Sequence, residues 1–106
     1  MIARLWSARA TAALAPSYLD HFRRNVQPEL RKVAGFSGAT VLTRSAPTGV
    51  EILVTTFWQS LPSIDAFAAP DREAAVVAPE AAALLTDYDR RVRHYDLAIS
   101  DLPNNL

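Results

Sequence analysis

The chain has 106 residues, half of them apolar and 21% charged, and its basic and acidic side chains cancel to a net charge of zero. That composition fits one globular domain burying about two-thirds of its unfolded surface, and excludes a disordered chain. Zero net charge removes the basic face that a nucleic-acid partner requires, and the lack of cysteine removes disulfides, thiolate catalysis and thiolate metal sites.

Residues 1–9, "MIARLWSAR", alternate as a strand, with Ile2, Arg4 and Trp6 on one face and Ala3, Leu5 and Ser7 on the other. Arg4 and Arg9 interrupt any secretory apolar run, and no stretch approaches the ~18 apolar residues of a membrane span. The expectation is a soluble, cytoplasmic protein with no membrane partner. Pro16 suits a first helical turn. Leu14, Tyr18, Phe22, Val26, Leu30 and Val33 then form one apolar stripe along a long helix. Pro28 lies inside that stripe and predicts a kink or a fresh turn, and Gly35 predicts the helix stop.

Residues 36–45 and 50–58 read as two strands joined by "APTG", a hairpin. Ser60 predicts a helix cap, with Pro62 in the first turn and Ile64 and Phe67 on one face. Asp71 predicts the cap of a further helix, "REAAVVA", and "PEAAALL" another short one. A last strand is expected over 90–99. The order is β-α-β-β-α-β: an α+β, ferredoxin-like chain with one antiparallel sheet and its helices on one face. Residues 1–99 make the single domain and 100–106 a polar tail.

The third strand is apolar on both faces. Ile52, Val54, Thr56 and Trp58 point one way, and Leu53, Thr55 and Phe57 the other. Helices cover one face only, so the other calls for a second copy and predicts a homodimer.

These elements resemble the antibiotic biosynthesis monooxygenase superfamily, the dimeric α+β barrel proteins. The segment "TFWQSLPSIDAFA" (56–68) carries the resemblance, with "GFSGA" (35–39) and residues 74–96 beside it. The resemblance implies a pocket between sheet and helices, a small aromatic or quinol-type ligand, and oxidation by O2 with no metal, flavin or other cofactor. Set beside polyketide-oxidising members, Trp58 lines the pocket, while Val54 and Ile64 stand where those proteins carry Asn and Tyr. Set beside haem-degrading members, Ser7, Phe67 and Val77 stand at the Asn, Trp and His-ligand positions, and the haem ligand is missing.

Candidate pocket residues are therefore Trp58, Tyr18, Phe22, Val54, Ile64, Phe67 and His21. His94 is the candidate catalytic base, since a histidine titrates near neutrality. A hydrogen-bonded, inert strand histidine explains His94 as well. His21 fits either a pocket mouth or a half-wet helix boundary, and Tyr18 either a donor into a cavity or core packing. Parity alone leaves open which face Trp6 serves. Two histidines without carboxylates at ligand spacing predict no metal site. Two kinds of function follow: a cofactor-independent monooxygenase, or a dimeric small-molecule-binding protein without turnover. An isomerase or cyclase using the same pocket stands beside the second as its catalytic alternative.

Overall fold

The computed structural model describes residues 1–103; the last three residues of the expected tail lie outside the described residues. Five strands form one antiparallel sheet in the order β2-β3-β1-β4, with β5 also on β1. They are β1 (Ile2–Ala10), β2 (Phe36–Ala46), β3 (Gly49–Trp58), β4 (Asp87–Tyr88) and β5 (Arg93–Asp96). β1 is central, paired with β3 from Ile2↔Trp58 to Ala10↔Val50. β2 and β3 form the expected hairpin, which closes through Ala46↔Gly49.

The long helix starts at α1 (Ala15–His21) with Pro16 in its first turn, runs through a π-helical stretch (Phe22–Val26), and ends as α2 (Gln27–Leu30). In the stretch the Gln27 N–H donates to the Phe22 carbonyl, one residue further back than in an α-helix. Pro28 follows and has no N–H to continue the ladder, so the widened turn absorbs the loss. Tyr18, Phe22 and Leu30 are buried as the stripe predicts, whereas Leu14 is 40% exposed at the helix entrance. The helix stops before Gly35. Gly35 serves the turn into β2 at φ +90°, where an added Cβ would overlap the Ser63 side chain.

The helix α3 (Leu61–Ala68) is capped by Ser60, whose hydroxyl accepts from the Ser63 N–H. The segment after it corrects the sequence reading. "REAAVVA" is extended, not helical. The Ala75 N–H donates to the Arg90 carbonyl and the Val92 N–H to the Glu73 carbonyl, so the segment runs beside residues 90–92. Those residues bulge out of the last strand, which is therefore two short pieces, β4 and β5, instead of one strand over 90–99. Only α4 (Pro79–Ala82) remains helical there.

The core lies between the helices and one face of the sheet. Ile52, Trp58 and Ile64 are fully buried in it, and Phe36, Phe67 and Trp6 pack against it. On the other face Leu53, Thr55 and Phe57 are half-buried, and Leu42 and Tyr95 are exposed. Among the described residues no helix is long and apolar enough to cross a membrane.

Candidate functional site

A cavity of about 70 Å³ opens between the long helix, the sheet and the 76–81 segment. Tyr18, His21 and Phe22 bound it from the helix, Val54 and Thr56 from β3, and Arg4 and Trp6 from β1. Phe67 closes it from α3, with Val76, Val77 and Ala78 opposite. His21, Val26 and Ala78 also bound a surface depression that includes Asn25 and Glu80, so the two hollows adjoin at these residues.

Most of the wall is apolar, and the polar exceptions are specific. Arg4 is only 4% exposed. Its guanidinium donates to the carbonyl oxygens of Arg72 and Ala74, at 2.5 and 2.8 Å, and to His94 Nε2 at 3.0 Å. It also lies 5.6 Å from the centre of the Phe67 ring. Burial pulls its pKa down to about 10, so it stays cationic at neutral pH. Among the described residues Arg4 makes no ion pair. The carboxylates near it pair elsewhere, Asp65 with Arg72, and Asp71 and Glu73 with Arg91.

The register explains the Arg4 contacts. Arg4 stands directly opposite Thr56 on one side and His94 on the other. Cross-strand neighbours point to the same face, so the three side chains converge. A guanidinium only donates, so His94 Nε2 is the acceptor and His94 is held neutral. Burial first, then the charges of Arg4 and Arg72, push its pKa below the ordinary 6.5.

His21 is 9% exposed, and its buried Nε2 has no hydrogen-bond partner among the described residues. Its Nδ1 lies 3.1 Å from Asn25 Nδ2, one helical turn on. Tyr18 is also buried, and desolvation raises its phenol to about 12, so it remains a donor. Trp6 gives its indole N–H to the Asp89 carbonyl at 2.8 Å, which settles the open parity question: Trp6 faces the helices and the cavity.

The structure brings Tyr18, His21, Phe22, Val54 and Phe67 together on the cavity wall. Trp58 and Ile64 stand behind that wall, both fully buried. Trp58 stacks on Phe67 at 5.7 Å, meets Phe36 edge-on at 5.4 Å, and donates its N–H to Thr56 Oγ1 at 2.8 Å. It thus props two wall residues without touching the hollow. His94 lies outside the lining too, behind Arg4. Of the haem-site positions, Phe67 and Val77 line the cavity and Ser7 does not. Sequence reasoning passed over Arg4. Its signal was available: a charge between Ile2 and Trp6, on the strand face that carries the core.

No protein-family model matches the chain, and no curated protein matches it. Solved structures do. An antibiotic biosynthesis monooxygenase-type protein from Bacillus cereus superposes with a TM-score of 0.65 at 15% identity, over 97% of this chain and 96% of that one. A mutant of MhuD with two manganese protoporphyrin IX molecules bound per active site gives 0.67 at 16% identity, over 97% and 100%. A monooxygenase from the ActVA-Orf6 gene of Streptomyces coelicolor, in complex with nanaomycin D, gives 0.63 at 16%, over 97% and 92%. The chain is an α+β protein with a ferredoxin-like sheet and a helix-covered cavity. That fold is the one these solved structures share.

Proposed function

We propose that the cavity binds a small aromatic molecule of anthrone or quinol type and oxygenates it with O2. One observation carries the proposal: a buried, mostly apolar hollow holds a few buried polar side chains, Arg4, Tyr18 and His21, at its walls. The fold shared with proteins described as monooxygenases supports the same reading.

The chemistry needs an electron-rich anion and a site that favours it. Loss of a proton from a ring CH2 to solvent water gives a carbanion whose charge spreads onto the ring oxygen. That anion transfers its electrons to O2, and a C–O bond forms to give a peroxide, which takes up a proton. The remaining C–H and the O–O bond then break, leaving a C=O group and water. One oxygen atom stays in the product, the other leaves as water, and the carbon supplies all four electrons. In this reading the donors at the wall stabilise the oxyanion. His94, the base expected from the sequence, holds Arg4 in place and does not face the substrate. Haem chemistry is not part of the proposal, because Val77 offers no axial ligand in the wall.

The chain acts in this reading as a cytoplasmic homodimer, with the open sheet face covered by a second copy. Leu42 is 58% and Tyr95 49% exposed on that face, beside half-buried Leu53 and Phe57. Leu53→Asp should then yield a folded monomer by sedimentation velocity where the parent is a dimer; a monomeric parent would end the dimer proposal.

A second reading is a binding protein without turnover. It is favoured by the make-up of the wall, where among the described residues no Asp or Glu stands to act as a carboxylate base. Oxygen uptake separates the two. With metal and flavin excluded, anthrone and hydroquinones should drive saturable uptake above the buffer rate. Ligand binding without uptake would leave only the binding protein.

A further inference from the structure

We infer that the Arg4 corner of the cavity is an anion subsite, and that the ligand is an aromatic ring carrying one ionised oxygen group. This deepens the reading of the cavity as a ligand site and rests on it.

The charge balance is the first argument. Arg4 is a buried cation, and among the described residues no carboxylate answers it. Its partners are two carbonyls and a neutral imidazole, which satisfy hydrogen bonds but leave the charge uncompensated. A buried charge is costly unless an opposite charge joins it. A ligand anion entering the cavity would supply that charge in a poorly solvated place, where the interaction is strong.

The second argument counts donors. A guanidinium has five N–H groups. Three serve Arg72, Ala74 and His94, which leaves two. The Asn25 amide nitrogen is set to donate to His21 Nδ1, so neutral His21 carries its proton on Nε2. That N–H is the buried group without a partner. Tyr18 adds a phenol that stays protonated. The Trp6 N–H is already committed to Asp89. Among the described residues the free polar capacity of the wall is thus donor-rich and includes no acid, as an oxyanion requires, and Glu80 borders only the adjoining depression.

The third argument concerns the rest of the ligand. Phe67 lies under the guanidinium, and Phe22, Trp6 and Val54 complete the apolar wall. A flat ring fits such a wall, and a phosphate or a sugar does not.

The test uses three probes of one shape: 4-nitrophenol, whose ionised form is yellow, 4-nitrobenzoate, and the uncharged 4-nitrotoluene. Affinity is read from quenching of tryptophan fluorescence, and ionisation from the absorbance of bound 4-nitrophenol across pH. The wild type should bind an anion about tenfold or more tightly than 4-nitrotoluene, and bound 4-nitrophenol should turn yellow about one pH unit or more below the free probe. Arg4→Met should abolish both effects while 4-nitrotoluene still binds. If Arg4→Met does not fold, His21→Phe serves in its place and should reduce the anion preference. Tighter binding of 4-nitrobenzoate than of the phenolate assigns a carboxylate ligand, and the reverse assigns a phenolate. Equal binding of charged and neutral probes by the wild type overturns the anion subsite and leaves the ligand cavity standing. No binding of any probe overturns the cavity reading as well.

Discussion

The chain's two indoles sit on the same face of the sheet in opposite surroundings. Trp58 is fully buried, its N–H is satisfied by Thr56, and two aromatic rings flank it. Trp6 borders a hollow beside Arg4 and His21; among the described residues the Arg4 guanidinium makes no ion pair and the His21 Nε2 has no partner. One end of the core is therefore closed and satisfied, and the other is open and unsatisfied. A ligand gains binding energy where groups lack partners, so the proposed function places binding at the Trp6 end and stability at the Trp58 end.

Mutations can break that contrast. Trp58→Ala should have the largest effect, about 3–5 kcal/mol of lost stability in urea denaturation, because it empties a fully buried site. A loss under 1 kcal/mol would mean that Trp58 is not the prop described. Thr56→Val keeps the shape but strips the acceptor from the Trp58 N–H. It should cost about 1–3 kcal/mol by the same measurement. His21→Phe should change stability by about 1 kcal/mol or less, since the part-buried Asn25 contact it loses is offset by removal of a buried Nε2 that has no partner among the described residues. A large loss there would show that the imidazole is structurally satisfied.

The smallest expected effect is a pH dependence. The folded state lowers the pKa of His94, so the folded chain binds that proton less readily than the unfolded one. The stability from neutral His94 is present above the ordinary 6.5 and falls away as pH drops through and below it. His94→Gln should flatten the melting temperature across that acid range. An unchanged slope would remove the Arg4–His94 contact from the account.

Much of the fold was legible in local chemistry. The β-branched run ending at Trp58, the Pro47–Thr48 turn, the Ser60 cap and the Pro16 start all act through near neighbours, and each stands where the pattern placed it. The 71–78 segment was not legible. Its alanines and valines carry helical spacing, but the backbone is claimed by residues 90–92, a pairing that depends on distant chain. The site divides in the same way. The stripe of Tyr18 and Phe22 gave the helical wall, and His21 beside it came with that wall. Trp58 stands one layer behind the wall, and a conspicuous residue type does not say which layer of a core it fills. Arg4 escaped the sequence reading because what marks it is the lack of a carboxylate partner among the described residues, and no local pattern displays that.

The contrast between the two indoles is also the most direct test. The chain has two tryptophans, so an amide correlation NMR spectrum shows two indole N–H signals. Titration with 4-nitrophenol should move the Trp6 indole signal strongly and the Trp58 signal much less. A larger shift at Trp58, or a saturated ligand that moves neither, would contradict the placement of the site.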